Sequence, residues 1–388
     1  MTDLPAQVQR LLDEAVAAGM GSAASAGWVE LDGARQVVFS GRRCAWRGPA
    51  EAREAALGAP IDRESIYDLA SLTKPMATTT LLAQLVDQGV VDLDHPVERY
   101  WPMAQGTVMG PLSLRSLLGH GSGAIAWRDY FQLTIDAPQR RAAVQRAVLH
   151  QPLERAPGAR AVYSDLGFLV LGWTLEHVLQ TPLREAFARR VAAPMALPSA
   201  HFPGMHPRLE RPYVATEIWP PRAPDNRPLV GVVHDDNCAA LAGVAGHAGL
   251  FGGVDDVLIW AEHWLRAAVG ERARCDAAPS AEVARQWLTS AAAPETTWRL
   301  GFDTPSRPTS TAGSLASDRA FGHLGFTGTS VWICPARKVA VTLLTNRVHP
   351  TRERVEGIRA LRPLLHDTIW SWFDHRGASN SVALKQSR

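Results

Sequence analysis

The 388-residue sequence predicts an α+β fold: an antiparallel sheet built from N- and C-terminal strands, flanked by helices, with a central, mainly helical lobe. Three observations carry this reading. Strand-like stretches occur only near the two ends, helical periodicity broken by Pro and Gly fills the middle, and no βαβ alternation or internal repeat runs through the chain. A hydrophobic content of 46% beside 20% charged residues is that of an ordinary globular chain with material for a large core.

Residues 3 to 18 read as a helix with Val8, Leu11, Leu12, Ala15 and Val16 on one face. Ala26 to Ser40 reads as two strands around Asp32-Gly33, a hairpin turn signal. Arg47 to Ala59 is a small-residue loop, and Ile61 to Ala70 leads into a helix opening at Ser71. Pro75 falls in the first turns of that helix, where proline is tolerated, Leu81, Leu82, Leu85 and Val86 share a face, and Gly89 is its C-cap. Residues 92 to 300 are mostly helical segments. Within them, Ala193 to Pro228 is a Pro-rich stretch carrying Trp219-Pro220-Pro221, long enough to be functional or mobile. Thr329 to Ile333 and Val339 to Thr345 are strands on either side of a Pro335-Ala336-Arg337-Lys338 turn. Arg354 to Phe373 closes the chain as an amphipathic helix, and Gly377 onward is a frayed tail. The expected organisation is a single domain over residues 1–375, with a sheet lobe at about 1–65 and 295–375, a helical lobe at about 66–294, and a flexible tail at 376–388. A cleft between the lobes is the natural place for a site.

Composition excludes several classes of function. A net charge of +2 with no block of like charges points to neither nucleic acid nor an anionic membrane. Met1 to Met20 has no basic start and no apolar run, and no stretch reaches the ~20 apolar residues that span a bilayer, so a cytoplasmic location is expected. Cys44, Cys238, Cys275 and Cys334 are scattered, which predicts free thiols. His201 and His206 stand five apart in the Pro-rich stretch without an HExxH pattern, so no metal is expected.

The chemistry starts from lysine. Of 40 Lys plus Arg residues only three are lysines, Lys74, Lys338 and Lys385. Arg keeps its proton inside a protein, whereas Lys gives it up when burial or a neighbouring cation lowers its pKa. Lys338 and Lys385 sit in a polar turn and a polar tail, but Lys74 sits in Ser71-Leu-Thr-Lys74-Pro75 at the start of an apolar helix. Residues i and i+3 share a helix face, so Lys74 lies beside the Ser71 hydroxyl, and the helix start favours a developing alkoxide. Tyr163-Ser164-Asp165 precedes a helical run, Leu166 to Val178, and a Tyr there is able to relay a proton. The glycines of Phe321-Gly-His-Leu-Gly-Phe-Thr-Gly-Thr329 let backbone approach a ligand and offer an N–H as half of an oxyanion hole.

Together these three elements resemble the serine β-lactamase and penicillin-binding-protein superfamily, in particular the class C β-lactamase-like serine hydrolases, which include family VIII esterases and D-stereospecific peptidases. Ser71-x-x-Lys74 is similar to the first motif, Tyr163-Ser-Asp165 to the Tyr-x-Asn/Asp motif, and His323-x-Gly325 stands where a Lys/His-Thr-Gly motif is expected. Leu117 to Gly123, His234-Asp-Asp-Asn237 and Gly246-His-Ala-Gly-Leu-Phe251 also resemble segments of these hydrolases. The resemblance spans roughly residues 20 to 375 and implies the β-lactamase/transpeptidase-like fold with a catalytic domain over 1–375. It also implies acyl transfer in two steps. Ser71 attacks a carbonyl, Lys74 (held near neutral) or Tyr163 takes the proton, and the N–H groups of Ser71 and Phe326 bind the oxyanion. Both base assignments stay open. His323 is a donor near the leaving group or a structural hydrogen bond. Asp165 stands where peptidases carry an amide-binding Asn, and Leu324 where a Thr helps bind a carboxylate. Arg354 resembles the carboxylate-facing Arg of a class C segment, and Trp127, Tyr130 and Trp219 are candidates for an apolar acyl pocket. These features imply a carboxylesterase acting on small or medium acyl esters, a small-molecule acyl substrate, with no cofactor. The rivals are a D-aminopeptidase, D,D-peptidase or weak β-lactamase, an acyltransferase, and a penicilloyl sensor that acylates and stops. The oligomeric state is left open.

Overall fold

The strand-like stretches at the two ends of the sequence meet in one sheet. The computed structural model describes residues 3–45, 58–204, 210–223 and 226–386, so most of the expected Arg47–Ala59 loop lies outside the described residues. Strands β1 (Ala23–Glu30), β2 (Arg35–Gly41), β5 (Phe321–Leu324), β6 (Ser330–Cys334) and β7 (Val339–Thr345) pair antiparallel in the order β2-β1-β7-β6-β5. Trp28 of β1 faces Gln36 of β2 and Val341 of β7, which joins the first and last parts of the chain. Two further strands, β3 (Tyr67–Asp68) and β4 (Phe251–Gly252), form a small separate pair.

Every residue of β6 and β7 is buried, because helices cover both faces of the sheet. On one face, Leu4, Val8 and Leu12 of the first helix (Leu4–Ala17) pack with Ile358, Leu361, Leu365, Ile369 and Trp370 of the last (Glu356–Gln386). On the other, the helix Val254–Ala268 lays Val257, Leu258, Trp260 and Trp264 against β1, β6 and β7. Gly27 of β1 is required by this packing, since a Cβ there would meet Gln36 O at 2.8 Å and Leu258 Cδ1 at 2.9 Å. Each such large apolar side chain contributes about 1.5–3 kcal/mol on burial.

Two expectations shift. Helix Val254–Ala268 falls in the sequence range expected for the helical lobe yet covers the sheet, and its core is continuous with that of the helical part. The last helix begins at Glu356 and carries past Gly377 to Gln386, where a tail is expected. Among the described residues the four cysteines form no disulfide with one another, and no helix is long and apolar enough to cross a membrane.

Candidate active site

The segment carrying Ser71 is one helix whose winding changes along its length: a 3-10 turn at Ala70–Leu72, a π stretch at Lys74–Thr79, then α-helix at Thr80–Asp87. Pro75 has no N–H to return to the carbonyl of Ser71, so an ordinary α-helical bond is missing there, and the wider π winding follows it. The entry is strained. Ala70 has φ 48°, and its N–H is held by Asp68 Oδ1 at 2.8 Å.

On this helix, Lys74 Nζ donates to Ser71 Oγ at 3.0 Å, and Tyr163 Oη donates to the same oxygen at 2.8 Å. Tyr163 lies just before the helix Asp165–Leu179 and is fixed by its neighbours. The Ser164 N–H donates to His120 Nδ1 (3.2 Å), the Ser164 hydroxyl to Ile125 O (2.6 Å), and the Asp165 N–H to Ala126 O (3.0 Å). The Tyr163 ring packs against His120, with centroids 4.8 Å apart, and against Trp298 at 5.2 Å.

Lys74 is fully buried, and Asp165 Oδ1 lies 2.7 Å from its Nζ. Burial alone would push the ammonium down. The charge of Asp165, reinforced by Tyr163, outweighs burial and holds the Lys74 pKa above its ordinary value. This corrects the expectation that Lys74 is held near neutral. Burial likewise pushes the Tyr163 phenol up to about 12, against the opposing pull of Lys74. In the resting site both groups therefore carry their protons.

A strap at residues 246–250 is laced onto this helix. Lys74 Nζ donates to His247 O (3.1 Å), the Thr78 hydroxyl to Gly246 O (2.7 Å), and the Leu250 N–H to Thr73 Oγ1 (3.1 Å). The strap is pinned by the His247 ring, whose Nε2 meets Asp235 Oδ1 at 2.9 Å. Burial opposes the ionisation of Asp235, but His247 and the Cys238 N–H outweigh it and hold the carboxyl below its usual range. Asp165, Asp235 and His247 offer ligand atoms within 4.8 Å of one another, the kind of set that holds a cation. Here the Lys74 ammonium supplies the positive charge beside Asp165.

The Gly-rich segment between β5 and β6 closes the other side. The Thr327 hydroxyl donates to Asp68 O at 2.7 Å and the Thr329 hydroxyl to Leu69 O at 3.0 Å, tying it to the turn before Ser71. Only glycine fits at 325, where a Cβ would meet Thr329 Oγ1 at 2.0 Å and Leu69 O at 2.7 Å. The Phe326 ring packs against His234 (centroids 5.7 Å) and against the Arg347 guanidinium (4.2 Å). Neither the Ser71 nor the Phe326 N–H donates to another atom of the described residues.

His323 is buried, and its Nδ1 lies 2.7 Å from Leu324 O, so that nitrogen carries the hydrogen and Nε2 keeps a lone pair. Burial and the charge of Lys74 push its pKa down to about 3. His323 is thus a neutral group that fixes the strand end, which is the structural hydrogen bond of the two parts open to it, and its Nε2 is left as an acceptor. Arg354 is not brought to the site. It is exposed, with Nη1 beside Gly19. Tyr130 is buried, with its hydroxyl on Gln151, and so belongs to the core. Trp127 is 49% exposed, one residue beyond the carbonyl that holds Asp165. Trp219 lies under Arg352 and lines a cavity of about 420 Å³ with Phe131, Ile135, Leu229, Val233 and Asp236.

Sequence reasoning missed Trp298, which sits in an irregular stretch without a pattern, and the parts played by His120, Asp235 and His247, although the segments that hold those three stand out by resemblance. The model of the Beta-lactamase family matches residues 10–365. A relative from Salmonella agona (strain SL483), described as "Putative D-alanyl-D-alanine carboxypeptidase", is 29% identical over 311 residues, covering 74% of this chain and 70% of its own. Among solved structures, EstCE1, "a hydrolase with promiscuous acyltransferase activity", is similar with a TM-score of 0.72 and 21% identity over 95% of this chain and 98% of its own. Unliganded simvastatin synthase (LovD) from Aspergillus terreus is similar with a TM-score of 0.72 and 16% identity over 97% of this chain and 100% of its own. At these identities the two structures speak for the β-lactamase/transpeptidase fold.

Proposed function

Because the chain belongs to the Beta-lactamase family of serine hydrolases, we propose that it is a carboxylesterase that hydrolyses uncharged acyl esters through an acyl-enzyme on Ser71. The observation that carries this reading is the Lys74–Asp165 ion pair at 2.7 Å beside the hydroxyl that Tyr163 and Lys74 share. A carboxylate occupies the position where peptidases of this type hold an amide. The neutral His323 and apolar Leu324 replace groups that favour a substrate carboxylate. The arginines near Phe326 are engaged. Arg347 donates to Phe326 O (2.7 Å) and Arg352 O (2.7 Å), and Arg352 to Glu217 (2.6 Å). Such a site disfavours an anionic substrate and accepts a neutral ester.

In the proposed reaction the Tyr163 phenol first gives its proton to solvent water, and the fixed Lys74 ammonium stabilises the phenolate. The Tyr163 oxygen, 2.8 Å from Ser71 Oγ, takes the serine proton as Oγ attacks the ester carbonyl. The charge on the tetrahedral oxygen is met by the Ser71 and Phe326 N–H groups. Tyr163 returns the proton to the departing alcohol, and water repeats the sequence on the acyl-enzyme. The 29%-identical relative's description favours a second reading, a D-alanyl-D-alanine carboxypeptidase. A panel of p-nitrophenyl esters from acetate to decanoate, run beside nitrocefin and a D-Ala-D-Ala peptide with wild type and Ser71→Ala, separates the two. Ser71-dependent turnover greatest on esters supports the esterase. Peptide or nitrocefin turnover exceeding that of the esters replaces it.

A further inference from the structure

One sheltered cation has no part in the reaction as described. Arg362, on the last helix, sends Nη2 to Gly325 O at 2.9 Å and to Thr329 O at 2.7 Å. Its Nε is closed off from solvent and has no hydrogen-bond partner among the described residues. Among the described residues no carboxylate lies within ion-pairing distance of it, and burial together with the charge of Arg347 pushes the guanidinium down to about 10. A desolvated cation without a counter-ion is unfavourable. An uncharged donor would satisfy two carbonyls with less penalty, so the charge itself needs an explanation.

The target of the contact supplies one. Gly325 C=O and Phe326 N–H are the two ends of a single planar peptide unit. A cation held on the oxygen fixes the plane of that unit, aims the N–H away from itself, and polarises it. The loop is closed from within, because the Gly325 N–H donates to Thr329 O at 2.7 Å, the second carbonyl that Arg362 grips. On the neighbouring peptide, Arg347 Nε holds Phe326 O at 2.7 Å.

We infer that Arg362 is a positioning residue for acyl transfer: from behind the Gly325–Phe326 peptide it aims and polarises the Phe326 N–H at the oxyanion formed on Ser71. This rests on Ser71 as the nucleophile and on the Phe326 N–H as its oxyanion donor. The effect is greatest where negative charge develops, so it belongs to the transition state rather than to the bound ester.

The test uses Arg362→Met, which keeps length and loses charge, and Arg362→Lys, which keeps charge as a single point donor. Each is measured for kcat and KM on the best ester and for the Ki of an arylboronic acid, whose tetrahedral adduct on a serine places a charged oxygen at the oxyanion position. Since removing an oxyanion donor outright costs about 10²–10³ in kcat, disturbing its aim should cost Arg362→Met about 10–100-fold. KM should stay within about threefold, the boronic acid Ki should rise by the same factor as kcat falls, and Arg362→Lys should recover part of the loss. Wild-type kcat and Ki in a folded Arg362→Met protein overturn the inference, as does a loss confined to KM. Should Arg362→Met fail to fold, Arg362→Lys and Arg362→Gln carry the same comparison. Boronic acid inhibition or turnover that survives Ser71→Ala would instead sink the reading of Ser71, independently of Arg362.

Discussion

Replacing Asp165 with Asn should move the working pH of this protein downward. The structure gives the reason and the sign. Asp165 Oδ1 lies 2.7 Å from Lys74 Nζ, with its side chain 16% exposed and that of Lys74 fully buried. Two unit charges at that separation attract by about 6 kcal/mol at an effective dielectric of ~20, a ceiling that partial hydration of Asp165 lowers. An opposite charge this close typically displaces a titration by about 1–3 units. Asp165 raises the proton affinity of both Lys74 and Tyr163. Whichever of the two accepts the serine proton, it must first give up its own, and Asp165→Asn makes that easier. The acid limb of kcat/KM should therefore move to lower pH by about 1–3 units, and activity below the wild-type limb should rise. The assay is kcat/KM for a stable ester from mildly acid to alkaline pH, checked by the rate of fluorophosphonate labelling over the same range. Asn is nearly isosteric and keeps a polar contact to Lys74, so a limb that stays in place, or moves up, would refute the argument.

Two further outcomes are expected. Tyr163→Phe removes one hydroxyl while leaving the ring against His120 and Trp298; kcat should fall about 10²–10⁴-fold with the Tm little changed, and near-normal kcat would show that Tyr163 carries no proton. His366 is fully buried, neither ring nitrogen has a hydrogen-bond partner among the described residues, and burial pushes its pKa from the ordinary 6.5 to about 3. Folding keeps this imidazole neutral, so the stability it contributes is whole above the unfolded pKa and is lost as pH falls from about 6.5 toward 3. His366→Leu, compared with wild type by urea unfolding at about pH 7.5 and pH 5, should lose less stability on acidification; equal losses would contradict the assignment.

The sheet was legible because its strands carry strong local signals, the Asp32-Gly33 turn and the β-branched run of β7. The nucleophile helix was legible in place but not in winding, since the π stretch depends on the bond that Pro75 cannot make and on the strap packed against it. Ser71, Lys74 and Tyr163 were readable because the chemistry of acyl transfer restricts the residue types and one helix face sets their spacing. The charge state of Lys74 was not readable. It depends on Asp165, 91 positions away and on a different helix, and on burial that only the folded chain creates. That Arg354 stays at the surface while Arg347 and Arg362 reach the carbonyls of the Gly-rich segment was not readable for the same reason, since only the fold brings those carbonyls to them. His323 stays open between a donor and a structural hydrogen bond in the sequence because the sequence does not fix a tautomer, which is set by the carbonyl of the next residue, Leu324.

The proposed reaction stands or falls on Ser71 carrying the acyl group. Wild type and Ser71→Ala are mixed with a slowly hydrolysed p-nitrophenyl ester, quenched in acid during the first turnover, and weighed intact by mass spectrometry before peptide mapping. A mass increase equal to one acyl group is expected, located on the peptide containing Ser71 and missing from Ser71→Ala. An adduct on another residue, or one that persists in Ser71→Ala, would contradict it.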